Sequence, residues 1–402
     1  FSGPVDPKWW GATGDGVTDD TAALRLVSDY VSALSGNIHI HLSSGSYLVR
    51  QSESQRIFDW TNCVNITFDG PGKIVTDDYA LATWYPITSI VGDGTNVTVV
   101  QQVGWPRHSV GSSINLRGVV PLKYNGTWTI ASTTNDTWTF TSTYTDAVTT
   151  PGASYLGDTY NRRVFNLETC EIVSITADIS NLEVSTIRSL YDVGYSGVRL
   201  CSCTNATVSL NGKNLAYTLI TITTDNAPTK FLTARVNSFQ CGYGPVLQGV
   251  DGAQVFADSD VVHRGAYFVD VRNANLTVNA RNWDESGALL GAPKAPSSAT
   301  TGYVENVDLT VQARDFTIAD PAGSATPSNI LLFLSSYDDT PAIWNNVKLH
   351  ARAVITADST SAIIPVYMTR PSDANLTMAN ISIDVDSDQS ALSHSANADS
   401  VY

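Results

Sequence analysis

Asn273-Ala-Asn-Leu276-Thr-Val278 is the stretch that decides the fold. An asparagine, two residues, then apolar and polar positions in alternation describe a short strand with one buried face. The pattern returns as Asn205-Ala-Thr-Val208-Ser-Leu210, Asn306-Val-Asp-Leu309-Thr-Val311, Asn346-Val-Lys-Leu349 and Asn380-Ile-Ser-Ile383. Without the asparagine it also fits at Ile175, Ala234 and Val255. The first apolar position then recurs every 21 to 40 residues. A second apolar run precedes most copies, at 198–200, 219–222, 267–271, 331–334 and 363–368. One strand motif per turn at such a period predicts an all-β, parallel β-solenoid whose coils stack on one another.

Working outward, Cys170 and Cys203 each stand five residues before an apolar anchor, so they are expected to stack as reduced, inward thiols about 4.8 Å apart. Helical periodicity occurs once, over 21–34, with Ala22, Ala23, Leu26, Val27, Tyr30, Val31 and Leu34 on one face and Asp19 and Asp20 as candidate N-caps. Residues 88–160 break the repeat with short strands and Gly-Asp, Asn-Gly and Asn-Asp turns, and read as an inserted small β domain. The expected division is 1–87 for the capping helix and first coils, 88–160 for the insert and 161–402 for the main solenoid. Residues 286–302 and 319–329 are expected to be groove-lining loops.

Composition excludes several classes. The chain of 402 residues has 23 basic and 38 acidic side chains, a net charge of −15. That balance argues against nucleic acid, which needs a basic footprint, and no apolar stretch is long enough to cross a membrane. Five cysteines without CxxC or CxxH spacing suggest neither a disulfide scaffold nor a metal site, and no cofactor is expected. Running from Phe1 to Tyr402, the chain reads as a fragment.

The N-terminus adds a family signal. Trp10-Gly-Ala-Thr-Gly-Asp-Gly-Val-Thr-Asp-Asp-Thr21, followed by the amphipathic helix, resembles the start of pectate-lyase-like right-handed β-helix proteins. With Asn161-Arg-Arg-Val-Phe-Asn-Leu-Glu-Thr-Cys170 and the Tyr124-Asn-Gly-Thr-Trp-Thr-Ile130 segment, the whole resembles a bacteriophage tailspike, a depolymerase of capsule or O-antigen. The resemblance implies a homotrimer on the virion, joined to the tail or baseplate through a missing N-terminal segment, with bacterial surface polysaccharide as partner and no membrane insertion. The superfamily also holds pectate lyases and polygalacturonases, so fold alone does not choose the chemistry. The paired Asp and Gly-His-Gly of polygalacturonases are missing, so no catalytic role carries over by motif.

The repeat register supplies candidates of its own. Three after each anchor stand Asp178, Asn211, Asn237, Asp258, Asn279, Gln312 and Arg352, all expected to face outward. Five after it stand Ser180, Lys213, Phe239, Asp260, Arg281 and Arg314. Asp258 and Asp260 thus form a carboxyl pair on one strand face, as glycoside hydrolysis needs. Arg281, beside Asp260, is expected to keep that group ionised and leave Asp258 as general acid. Glu183, Asp284 and Glu285 are further acidic candidates. Tyr191, Tyr195, Tyr243 and Trp283 are candidate sugar-stacking surfaces, with Arg281, His263, Arg264 and Arg314 as polar contacts. The expected activity is hydrolysis of host polysaccharide. A β-eliminating lyase using the arginine stripe, or a non-catalytic adhesin of the same fold, stands as the alternative.

Overall fold

In a computed structural model of the chain, the asparagine that opens each repeat occupies the left-handed backbone region. Asn205, Asn273, Asn306, Asn346 and Asn380 have φ between 50° and 55°. Asparagine tolerates this region because its short polar side chain bonds locally. Here the amides also link one coil to the next. Asn306 Nδ2 donates to Asn273 Oδ1, and Asn346 Nδ2 to Asn306 Oδ1, both at 2.9 Å. In the Ala234 and Val255 copies, which lack the asparagine, Phe231 (φ 55°) and Gly252 (φ 81°) hold the same corner.

The structure describes residues 3–33, 37–50, 56–77, 85–101, 110–111, 113–117, 119–134, 136–151, 153–156, 163–182, 195–222, 227–283, 286–292, 302–314, 330–336, 342–354, 364–369 and 376–387.

After each corner the chain enters a long parallel sheet. Its strands are Asn37–His41, Asn65–Asp69, Ile172–Asn181, Ala206–Lys213, Thr229–Tyr243, Val246–Arg264, Tyr267–Arg281, Gly302–Arg314, Ala342–Val354 and Leu376–Ser387. Ile175 pairs with Val208, and then Ala234, Val255, Leu276, Leu309, Leu349 and Ile383 follow in turn. This is the register expected from the repeat, including the three copies without asparagine. A second parallel sheet runs through Arg56–Thr61, Arg163–Glu168, Ser196–Cys201 and Tyr217–Ile222, then the first residues of Val246–Arg264 and Tyr267–Arg281, then Ser286–Ala292, Ile330–Ser336 and Ile364–Thr369. Each coil gives one pass to each sheet, which makes a right-handed parallel β-helix.

The core lies between the sheets. Phe68, Ile175, Val208, Val255, Leu276, Leu309 and Leu349 stack inward from one side, and Phe58, Phe165, Val198, Leu219, Leu247, Phe268 and Leu290 from the other. Fully burying each such side chain contributes roughly 1.5–3 kcal/mol. Cys170 and Cys203 lie at equivalent positions in successive coils, and Cys63 extends the ladder by one coil. Their Sγ–H groups find backbone oxygens, Cys170 at Trp60 and Cys203 at Leu167, both at 3.6 Å. All five cysteines are free thiols. The Cys170 thiol is pushed up by its hydrogen bond with Cys203 and by burial, Cys63 chiefly by burial, and burial lifts Cys241 to about 12.

The helix spans Thr21–Ser32 and covers the open end of the first coils. Its buried face is Thr21, Ala23, Leu24, Val27, Ser28 and Val31. That is one step round from the expected face: Ala22 and Leu26 are exposed, and Leu34 is outside the described residues. Leu24 takes the inward place, and Ser28 is drawn in because its Oγ accepts from the Asp59 backbone N–H at 3.2 Å. The capping expectation also changes. Asp20 stands at the N-cap without capping the helix. Its buried carboxylate accepts instead from the backbone N–H groups of Thr13 (2.6 Å) and Gly14 (3.0 Å), closing the glycine-rich loop on itself. Asp19 takes the Thr21 N–H at 3.0 Å. Gly14 is required here: its φ is +68°, and a Cβ would meet the Tyr47 ring at 3.1 Å.

Between Thr76 and Arg163 the chain leaves the solenoid. Among the described residues, seven short strands, from Tyr85–Gly92 to Ala153–Leu156, pair antiparallel. They enclose a separate core of Ile90, Val97, Val99, Ile114, Leu116, Trp138 and Phe140, with Trp128 stacked on Phe140 at 4.1 Å. Arg163 then resumes pairing with Arg56, the coil that the chain left.

Candidate functional site

The outward face of the first sheet is built by alternation. Ala257 and Ser259 point inward and are buried, so Asp258 and Asp260 point out. Coil stacking places Asp258 between Asn237 and Asn279, and Asp260 between Phe239 and Arg281. The pairing of charges differs from expectation. Arg281 reaches across the diagonal to Asp258, with Nη2 3.3 Å from Oδ1. Asp260 accepts from Asn282 Nδ2 at 2.9 Å instead. The reason is local: Asn282 sits in a left-handed corner (φ 53°) that turns its amide back over Asp260, and the longer guanidinium spans to the next carboxylate. The assignment of Asp258 as general acid therefore loses its ground. In the same column Asn237 Nδ2 donates a hydrogen bond to Asn211 Oδ1 at 2.7 Å. Further along, Arg352 Nε lies 3.3 Å from Asp386, so two members of the expected arginine stripe are each committed to a carboxylate. Arg314 is in register with Val354, and its side chain lies outside the described set.

Past the bend that follows Phe239, the sheet presents aromatic and cationic groups. Tyr217, Tyr243 and Arg264 occupy one column in successive coils. The two tyrosine rings stack at 4.8 Å with 8° between planes, His263 meets Tyr243 edge-on at 4.7 Å, and the Arg264 guanidinium lies over Tyr267 at 5.4 Å. All five are half-buried. The expected contacts Tyr243, His263 and Arg264 are thus brought together, joined by Tyr217 and Tyr267.

Two expected contacts are withdrawn. Trp283 and Tyr195 are wholly buried and serve the core. Trp283 follows the left-handed Asn282, which reverses the simple in-and-out alternation and sends the indole inside. Glu183, Tyr191, Asp284 and Glu285 lie outside the described residues.

Sequence reasoning passed over a third group. Asp270 Oδ1 accepts from the Tyr303 N–H at 3.0 Å and lies 3.6 Å from Arg272 Nη2, while the Arg272 guanidinium covers the Tyr303 ring at 3.9 Å. Burial raises the Asp270 carboxyl above its ordinary value, against the opposing pull of Tyr303 and Arg272. Around it, Lys230, Asp251, Arg272 and Glu305 alternate in sign along one column. The signal was present in Asp270-Val-Arg272, hidden because these residues close an apolar strand. Also passed over was His39-Ile-His41, whose partner Asp69 is a coil away.

No family model matches the chain, and no curated protein matches its sequence. Solved structures similar to it include the A-module of a mannuronan C-5 epimerase from Azotobacter vinelandii, 13% identical over 95% of each chain, with a TM-score of 0.37. The tailspike protein of Pseudomonas phage LKA1 is 15% identical over 95% of this chain and 77% of its own, at 0.36. An endo-xylogalacturonan hydrolase from Aspergillus tubingensis is 11% identical over 96% and 94%, at 0.35. Such distant likenesses extend no function to this chain, whose β-helix stands on its own strand registers. Among the described residues, no helix is long and apolar enough to cross a membrane.

Proposed function

We propose that the chain binds an extended polysaccharide along the outer face of the solenoid and hydrolyses its glycosidic bonds. The observation that carries this reading is the pair of outward carboxyl groups two residues apart on one strand, Asp258 and Asp260, one met by a cation and the other by a neutral amide. Hydrolysis needs one ionised and one proton-bearing carboxyl group. Asp258 and Asp260 together supply these two roles. Same-face residues on a strand have Cα atoms about 6.6 Å apart, which suits either stereochemical outcome. The Tyr217–Tyr243 stack with His263 supplies ring faces for sugar C–H groups and polar edges for hydroxyls.

The reading extends to host capsule or O-antigen as substrate, and to a homotrimer at a phage tail as the working form. A lyase is the weaker reading, because Arg281 and Arg352 are each engaged by a carboxylate rather than open to a uronate. The test is mass spectrometry of products from a panel of bacterial capsular and O-antigen polysaccharides. Fragments one water heavier than the repeat unit support hydrolysis. Unsaturated fragments overturn it for elimination, and a polysaccharide bound without cleavage overturns it for an adhesin. Light scattering should give three times the 43.1 kDa chain mass.

A further inference from the structure

His39 and His41 stand two apart on the strand Asn37–His41, so both imidazoles leave the same outer face. Asp69 lies directly across from His41 on the strand of the next coil. His39 Nε2 donates to Asp69 Oδ2 at 2.9 Å, and His41 Nδ1 to Asp69 Oδ1 at 2.7 Å. The three donor atoms all lie within 4.8 Å of one another. Behind them Ile38, Ile40, Ile66 and Phe68 are buried, so both strands that carry the site are fixed by core packing. The side chains themselves are 39–44% exposed, leaving an open path from solvent.

From this geometry we infer that His39 Nε2, His41 Nδ1 and an Asp69 oxygen form a binding site for a divalent transition-metal ion of the zinc class. Two imidazoles and one carboxylate are donors for a borderline ion, whereas calcium and magnesium prefer all-oxygen sets. Bonds of about 2.0–2.1 Å to a tetrahedral ion set neighbouring donors about 3.4 Å apart. The present donor atoms, all within 4.8 Å of one another, come to that spacing by side-chain adjustment alone. Three protein donors leave a fourth position to water, the pattern of an open site. The chain's net charge of −15 favours cation capture. Bound there, the ion ties the first coils together beside the helical cap.

The site is tested on the full chain without a histidine tag, using zinc(II) by calorimetry against a chromophoric chelator and cobalt(II) by visible absorption. One ion per chain is expected, with a cobalt ligand-field band of low-coordinate nitrogen and oxygen ligation. His39→Ala and His41→Ala should each weaken zinc at least about tenfold, since losing even an outer partner of a ligand costs that much. His350→Ala, a histidine elsewhere on the same sheet, should leave the affinity unchanged. Folding is checked by circular dichroism. Unsaturable zinc binding by the unmodified chain, or a cobalt spectrum equal to that of the free aqua ion, overturns the site and leaves a hydrogen-bonded clasp. Equal affinity in His39→Ala/His41→Ala overturns it too.

Discussion

Arg281 Nη2 lies 3.3 Å from Asp258 Oδ1, although its strand partner one coil back is Asp260. The cation thus joins Asp258 across the diagonal, and Asp260 is met by the Asn282 amide instead. Both ends of the ion pair are about two-fifths exposed, so it adds little stability, on the order of 0–1 kcal/mol. Arg281→Gln should shift the melting temperature hardly at all while lowering depolymerase turnover. Asp258→Asn and Asp260→Asn should each lower turnover about 10²–10⁴-fold with polysaccharide binding kept. Turnover is read from reducing ends, binding by calorimetry. Unchanged turnover in both aspartate variants would remove the pair from the chemistry.

The stacked tyrosines lead to a binding prediction. Removing one ring from the Tyr217–Tyr243 pair removes the proposed sugar platform and a neighbour of His263. Tyr243→Ala should weaken oligosaccharide binding by about 1–2 kcal/mol, and Tyr243→Phe should restore most of it. If both variants bind as the parent does, the sugar runs elsewhere.

Phe231 is a bulky residue at φ 55°, with 63% of its surface exposed. Its neighbours along the corner show what belongs there. Phe231→Asn should stabilise the chain by about 1–2 kcal/mol, the cost of a left-handed conformation for a residue with a Cβ that gains nothing from it. Chemical denaturation reads the change. Destabilisation would mean that the ring, which lies against Gly252, contributes more than the strain removes.

Asp270 supplies a pH signature. Its folded carboxyl is raised above the ordinary 3.8, so ionisation is harder in the folded chain than in the unfolded one. The penalty is complete at neutral pH and vanishes as pH falls through the raised value and then below 3.8. Asp270→Asn keeps an acceptor for the Tyr303 N–H and suits the left-handed φ of 54°. It should therefore raise the melting temperature at pH 7, with the gain shrinking towards pH 3. A gain independent of pH would contradict this account.

The buried thiols should resist chemistry while the solenoid is intact. Cys170, Cys201, Cys203 and Cys241 are buried. Iodoacetamide at pH 8 should spare these four in the native chain and modify them only after denaturation, as mass spectrometry would resolve. Rapid native labelling of Cys241 would show that its coils open on the labelling timescale.

The register was legible because a single residue type marks the corner. Asparagine appears where the backbone turns left-handed, and counting three residues on finds the buried anchor. At Ala234 and Val255 the same corner is held by Phe231 and Gly252, so alternation alone located the strand. What the repeat does not encode is where a long side chain goes. Arg281 chose the diagonal, and Trp283 turned inward after Asn282, because a left-handed residue resets alternation. His39, His41 and Asp69 escaped because their contact spans 28 to 30 residues and exists only through coil stacking. The helix face slipped by one position because a serine hydroxyl, not an apolar group, completed it.

Val255 follows Ala234 by 21 residues and precedes Leu276 by the same number, whereas Leu349 follows Leu309 by 40. Twenty-one residues thus suffice for one turn of this tube, and the longer coils contain more residues than a turn requires. Asp258 and Asp260 ride on a turn with no slack at all. Insertions and deletions in the neighbouring coils can remodel what approaches that turn without moving the two carboxyl groups against each other. Selection on such a scaffold can change the surroundings of that turn far faster than the spacing of its two carboxyl groups.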